Sequence, residues 1–257
     1  MKVKTQKNSN GTVSINLDEN TYSVPNHWFW PQFEANWEPQ TFNFFKKNLV
    51  KDTAYLDIGG WVGPTALIAT ELGAKKVFVV EPNPMNFINL LTTQFSNKDL
   101  LDKWTILNLC VSSSRGFLQI GPIDGIMNSS SATNIRDQKG VEVLSVLLED
   151  ILDPQSVYSL IKIDIEGAEE FIIQDLRVFF NTNAAIWLSI HPPFYQDKAG
   201  VFENLYSLND IYHPTDENNT VISWDEVKLK IMSDDKLPEW GTKYGNFFEI
   251  GLLPKGN

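Results

Sequence analysis

A single cysteine, Cys110, in 257 residues excludes an internal disulfide framework and fits a reducing interior. Nothing around it in the sequence marks a reactive thiolate, so it reads as a small buried hydrophobe. Basic residues are scarce: 21 Lys and Arg against 32 Asp and Glu leave a net charge of −11, with no basic run. That argues against a nucleic-acid backbone as partner, which takes clustered Lys and Arg. No stretch approaches ~20 consecutive apolar residues, so no membrane span is expected. The opening "MKVKTQKNSNG" lacks the apolar run of a secretory signal. Internal repeats and low-complexity tracts are missing too. The expectation is a soluble, cytoplasmic protein whose oligomeric state stays open.

What is present suits a buried core, since 42% of the residues are hydrophobic and 21% charged, near the globular average. "TVSINLDENTYSVP" has two alternating runs around Asp18, Glu19 and Asn20 and predicts a hairpin. After the aromatic-rich "NHWFWPQFEANWEPQ", the stretch "PQTFNFFKKNLV" predicts a helix with Phe42, Phe45 and Leu49 on one face. From Ala54, strands alternate with helices. "AYLDI" reads as a strand, and Pro64 to Leu72 as a helix stopped by Gly73. "KVFVVEP" is the next strand, and Asn83 caps a helix with Pro84 at its first position. That helix should turn Phe87, Leu90, Leu91 and Phe95 inward, and "WTILNLCV" follows as a third strand.

"FLQIG" and "VEVLSV" predict strands around a polar stretch, Ile123 to Gly140, readable as a lid or as plain surface. The rhythm resumes with "LEDIL" (helical), "LIKIDI" (strand), "GAEEFIIQDL" (helix) and "AAIWLSIH" (strand); the tail adds a helix and an antiparallel strand. This pattern predicts an α/β protein with a mostly parallel sheet covered on both faces. Residues 1–50 are expected to form a small extension of hairpin and helix, packed on a main domain of residues 51–257.

Open α/β sheets bind ligands beyond the carboxyl ends of their strands. Asp57 stands at such an end, followed by Gly59, Gly60 and Gly63, and Glu81 ends the next strand about twenty residues on. An acid there accepts hydrogen bonds from a ribose diol. A nicotinamide dinucleotide would also use such an acid, but its binders carry G-x-G-x-x-G, which frees helix N–H groups for a pyrophosphate. The pattern here is D-x-G-G-x-x-G, with bulky Trp61 where the second of those glycines would stand. An acid before the first glycine repels phosphate and attracts an ammonium group. S-adenosyl-L-methionine, with an adenosine end and an amino-acid end, meets both demands.

Three blocks, "DIGGWVGPTAL" from Asp57, "VVEPNP" from Val79 and "LIKIDIEGAEEFII" from Leu160, resemble the FkbM type of class I S-adenosylmethionine-dependent methyltransferases. The likeness covers roughly residues 38 to 191, and the last block is its most specific part. It implies a Rossmann-like class I methyltransferase sheet. It further implies that the Asp57–Gly63 turn, Trp61 included, holds the methionine portion and Glu81 the ribose hydroxyls. The adenine would lie near Pro82, Asn83 and Val111. Many members carry Asn where this chain has Trp61. O-methylation of a sugar or small-molecule metabolite is the activity the family suggests.

Methyl transfer to a hydroxyl needs alignment and a route for the proton, through a base or a metal. Asp164 and Glu166 leave the fourth main strand, and His191 ends the next. They are the catalytic candidates, as a base or as a divalent-metal site. Lys162 shares a strand face with Asp164 and reads as its partner. Glu169 and Glu170 read as charges favoured at a helix start. Trp28, Phe29, Trp30 and Trp37 could line an acceptor pocket or anchor the N-terminal segment. Two other functions compete: a nicotinamide-dependent oxidoreductase, and a cofactor-binding protein without catalysis.

Overall fold

The computed structural model describes residues 2–122, 133–134, 140–233 and 247–256. Most of the polar stretch from Ile123 to Gly140 lies outside the described residues.

Period-two alternation builds β2 (Thr12–Leu17) and β3 (Asn20–Pro25), which pair antiparallel with Leu17 opposite Asn20. An edge strand that the pattern did not announce, β1 (Val3–Lys7), pairs with β2. None of its residues is buried, so burial imposed no apolar alternation on it. The short helix α1 (Trp30–Glu34) leads to α2 (Pro39–Asn48), which has Pro39 at its first position and Lys46 and Lys47 in its last turn. The buried face of α2 is Gln40, Thr41, Phe44 and Phe45, whereas the expected Phe42 and Leu49 are only partly covered. The face is chosen by contact with the main sheet, where Phe44 packs 4.6 Å from Trp187.

Among the described residues the main sheet has seven strands. They are β4 (Ala54–Ile58), β5 (Lys76–Val80), β6 (Trp104–Leu107), β11 (Tyr158–Ile163), β12 (Ala185–Ile190), β13 (Tyr212–Thr215) and β14 (Phe248–Pro254). Their spatial order is β13-β14-β12-β11-β4-β5-β6. All neighbours run parallel except β14, which is antiparallel to both β12 and β13. Between β4 and β5 lies α3 (Pro64–Glu71), and between β5 and β6 lie α4 (Pro84–Ser96) and α5 (Lys98–Leu101). The side chains alternate as a strand demands. Leu56, Ile58, Ile161, Ile163, Ile186 and Leu188 join the core on one face. Tyr55, Val77, Val79, Leu160 and Trp187 join the other core, under α2, α3 and the N-terminal sheet.

Three expectations are corrected. "WTILNLCV" is not one strand: after β6 the chain leaves the sheet, and β7 (Cys110–Val111) pairs parallel with β10 (Val141–Val146) in a separate sheet. Asn108 sits at the break, donating from Nδ2 to the carbonyls of Glu81 and Pro82. In that second sheet β10 also pairs with β8 (Gly116–Pro122), which meets β9 (Thr133–Asn134). Phe95 is 71% exposed rather than inward; α4 buries Asn86, Leu90, Thr93 and Gln94, the last donating to the Trp104 carbonyl. "LEDIL" and "GAEEFIIQDL" form 3₁₀ rather than α-helix, over Leu148–Ile151, Ala168–Phe171 and Ile173–Thr182. In the latter pair the Glu169 carboxylate accepts from the N–H groups of Ile165 and Gly167, which tightens the entry.

The remaining helices are α6 (Lys198–Tyr206) and α7 (Trp224–Met232). Ser223 and Glu226 form a reciprocal capping box at the start of α7. Ser223→Ala is expected to cost about 1 kcal/mol, read as a Tm lower by ~2–4 °C for a chain of this size. An unchanged melting curve would show that the box contributes nothing. Among the described residues no helix is long and apolar enough to cross a membrane.

Candidate functional site

Strand order reverses between β4 and β11, and the crevice beyond their carboxyl ends is where such sheets take ligands. The two ends touch: the Asp164 N–H donates to the Ile58 carbonyl at 2.9 Å. A Cβ on Gly59, whose φ is +85°, would overlap the Asp164 carbonyl, and one on Gly60 would overlap the Val79 side chain. Gly63, at φ +93°, begins α3. These glycines therefore let the turn fold against the sheet itself.

Asp57 is fully buried. Its Oδ2 accepts from Thr65 Oγ at 2.6 Å, in the first turn of α3, and Oδ1 makes no hydrogen bond among the described residues. Register explains its cation: Lys162 lies directly opposite Asp57, and its Nζ stands 3.6 Å from Oδ1. The same ammonium is 3.3 Å from Asp164 Oδ2 and donates to the Gly59 carbonyl. Burial pushes the Asp57 carboxyl up, and Lys162 opposes that shift. For Lys162 burial works against the charge, but Asp164 and Asp57 outweigh it and raise its pKa.

Glu81, at the end of β5, closes over the turn. Its Oε2 accepts from the Trp61 N–H and its Oε1 from the Asn83 N–H, each at 2.8 Å. Burial carries its carboxyl up to about 7 against these donors. Asn83 caps α4 through Oδ1 to the Met85 N–H, as its sequence position predicts. Pro82 is partly exposed, and Val111 is buried in the core with its neighbour Ser112 bonded to the Val146 carbonyl. Burial, with the Glu81 charge added, pushes the Cys110 thiol up to about 12, in keeping with an inert buried cysteine.

On the other side of the crevice, His191 at the end of β12 faces Asp164 and Glu166. Its Nε2 lies 3.8 Å from Asp164 Oδ1 and 3.7 Å from Glu166 Oε2. Its Nδ1 is 3.0 Å from Glu169 Oε1. Burial disfavours the imidazolium, yet Glu169 first, then Glu166 and Asp164, carry its pKa up to about 10. Burial pushes Glu166 up to about 7. Asp164 ends below its ordinary value because Lys162 and His191 outweigh its burial.

Two groups escaped the sequence reading. Glu169 is not a surface charge at a helix start: it is fully buried, bonds His191 and accepts from Tyr195 Oη at 3.1 Å. Glu170 instead accepts from the N–H groups of Gln196 and Asp197. A second acid pair, Glu38 and Glu249, sits near enough for Asp164 and Lys162 to act on it. Glu249 accepts from Gln40 and from the Trp187 indole, and burial lifts its carboxyl to about 7. Glu38 holds a left-handed backbone, φ 42°, just before Pro39. Nothing local distinguishes either acid from a surface charge.

The aromatic segment divides. Phe29 and Trp30 are buried and anchor the N-terminal segment, while Trp28 is 57% exposed. Trp61, at φ +47°, packs its ring against Phe29 at 4.6 Å, Trp28 at 5.9 Å and His27 at 5.4 Å. The glycine turn is thereby fastened to the N-terminal segment. The three-stranded sheet is tied to α4 as well, where Asn97 exchanges two hydrogen bonds with the Ser23 backbone.

The family model described as Methyltransferase FkbM domain matches residues 54–213. No curated protein sequence matches the chain. Among solved structures, a Clostridium thermocellum protein provisionally described as an rRNA-methylase superposes with a TM-score of 0.50 at 10% identity. That match covers 85% of this chain and 96% of that one. Precorrin-6y C5,15-methyltransferase from Geobacter metallireducens gives 0.41 at 13% identity, over 85% and 87% of the two chains. P. horikoshii TYW2 in complex with MeSAdo gives 0.42 at 13%, over 95% and 70%. The first of these likenesses shows a shared Rossmann-like class I methyltransferase fold and says nothing of the acceptor. The segment that matches the family model spans more than half of the chain and carries Asp57, Glu81, Asp164 and His191, and the chain belongs to the FkbM methyltransferase family.

Proposed function

We propose that this protein transfers a methyl group from S-adenosylmethionine to a hydroxyl oxygen of a sugar or another small metabolite. The observation that carries the reading is the meeting of four strand ends, those of β4, β5, β11 and β12, around the switch point. The Asp57 turn and Glu81 lie on one side and the Asp164, Glu166 and His191 group on the other. Bound S-adenosylmethionine supplies an electrophilic methyl group. The residues fit it: Glu81 is an acid at the ribose position, joined to the glycine turn through the Trp61 N–H. The buried Asp57 carboxylate, with its unbonded Oδ1, sets that turn at the start of α3. A dinucleotide fits poorly, because Trp61 stands where G-x-G-x-x-G needs its second glycine to bring backbone against a pyrophosphate.

On the acceptor side, Asp164, Glu166 and His191 orient the hydroxyl, and a carboxylate of the group receives its proton as oxygen bonds to the methyl carbon and the sulfur–methyl bond breaks. Glu169 is a positioning residue that fixes the imidazole. The net charge of −11 favours a small acceptor over a nucleic acid. The lone buried thiol suits action in the cytoplasm. We further assign residues 1–50 as an extension that braces the cofactor turn of a main domain, residues 51–257.

Ribose hydroxyls donate to a carboxylate, so cofactor binding needs Glu81 ionised. With its carboxyl near 7, affinity for S-adenosylhomocysteine is expected to rise about tenfold between pH 6 and pH 8. The contribution of the same group to the stability of the empty protein runs the other way. A carboxyl raised in the folded state stabilises fully below its unfolded pKa, and that contribution is lost as pH rises through about 7. Calorimetric titration across this range checks the reading, and Glu81→Gln should flatten the pH slope. Binding equally tight at both pH values would remove Glu81 from the ribose site.

A further inference from the structure

We propose that Asp164, Glu166 and His191 hold one divalent first-row transition ion, of the class Mn²⁺, Fe²⁺ or Zn²⁺, on the acceptor side of the crevice. Each offers one ligand atom, and the three atoms lie within 4.8 Å of one another. Nε2 of His191 stands 3.7 Å from Glu166 Oε2 and 3.8 Å from Asp164 Oδ1, too far for hydrogen bonds. Donors held ~2.1 Å from one ion stand roughly 3–3.4 Å apart, so small side-chain rotations close the group around it.

The imidazole is the second and independent sign. His191 is 6% exposed, and among the described residues its Nε2 makes no hydrogen bond. Its Nδ1 is bonded to Glu169, the arrangement that fixes tautomer and direction in metal-ligating histidines. Glu169 is itself held by the N–H groups of Ile165 and Gly167 and by the Tyr195 hydroxyl. Phe247 stacks on the imidazole at 5.5 Å and 24° and resists its rotation. Glu166 stands at φ 55°, a left-handed backbone that a non-glycine residue adopts only where its surroundings impose it. Lys162 engages Oδ2 of Asp164, leaving Oδ1 directed at His191.

Two carboxylates with an imidazole suit a first-row ion better than Mg²⁺ or Ca²⁺, which prefer oxygen donors alone. Three protein donors leave positions where a hydroxyl can bind and lose its proton more readily. In that respect the site deepens the methyltransferase reading, although ion binding itself does not depend on it.

The full chain, stripped by chelation, is titrated with Mn²⁺ while free Mn²⁺ is followed by electron paramagnetic resonance. One Mn²⁺ per chain is expected, displaced by Zn²⁺ but not by equal Mg²⁺. Glu166→Gln and Glu169→Gln should each weaken binding ~10–100-fold. Should Glu169→Gln fail to fold, Glu166→Gln carries the test, since that side chain is 38% exposed. Wild-type binding no tighter than that of Glu166→Gln, or no stoichiometric site, overturns the proposal. The same samples are titrated with S-adenosylhomocysteine. The nucleoside bound without Mn²⁺ removes only the ion site, and Mn²⁺ bound without the nucleoside removes only the methyltransferase reading.

Discussion

Asp164→Asn is expected to lower kcat by ~10²–10⁴-fold on any hydroxyl acceptor that the wild type methylates. S-adenosylhomocysteine should bind within about threefold of wild type. The substitution keeps the size of the side chain and removes its charge. Asp164 leaves β11 where the acceptor would approach, its side chain is 31% exposed, and His191 faces it at 3.8 Å. The glycine turn proposed to hold the cofactor meets Asp164 through backbone atoms, so cofactor binding should survive. Release of S-adenosylhomocysteine in single-turnover assays separates the chemical step from binding. A kcat within a factor of three would take Asp164 out of the reaction and leave it as the partner of Lys162.

Lys162→Met is expected to produce the largest loss of stability. Lys162 is 3% exposed, and its ammonium faces Asp57, which has no exposure at all. Removing one member of a buried pair leaves the other charge uncompensated, at a cost of about 3–5 kcal/mol. For a chain of this size that is a Tm lower by roughly 6–20 °C. The sign of the pH dependence is fixed as well. A lysine whose pKa is raised on folding contributes its full stabilisation below the unfolded value and loses it only above the folded one. The lysine contribution is therefore level from pH 6 to pH 9, but Asp57, pushed further up once Lys162 no longer opposes its burial, should make the loss grow as pH rises. Asp57→Asn added to Lys162→Met should recover part of the loss, because the stranded carboxylate is its source. A double variant no more stable than Lys162→Met alone would show that packing, not charge, is at stake.

Much of the molecule was legible locally. Apolar runs of five or six residues separated by glycine turns marked β4, β5, β11 and β12, since a strand covered on both faces must be apolar throughout. Asn83 announced a helix start through its capping side chain, and Gly73 a stop through its left-handed backbone. Asp57, Glu81, Asp164 and His191 could be found because each closes or follows an apolar strand, and strand ends are where a parallel sheet collects polar groups. The less visible features depended on distant neighbours. The inward face of α4, the break after Leu107 and the 3₁₀ geometry around Glu169 follow from contacts with other elements, which outweigh local preference.

The sequence by itself determined the strand–helix rhythm, the glycine turn with its preceding acid, and the set of ionisable residues at the strand ends. Those are properties of segments a few residues long, written in periodicity and turn chemistry. Only the tertiary structure decided that Lys162, already readable as the partner of Asp164, also faces Asp57, that Glu169 turns His191 toward two carboxylates, and that Glu38 and Glu249 form a second acid pair. Strand register and the closing of distant segments bring these groups within a few ångströms across up to 211 positions of chain, from Glu38 to Glu249. Charge interactions depend on that separation in space, which no local pattern encodes.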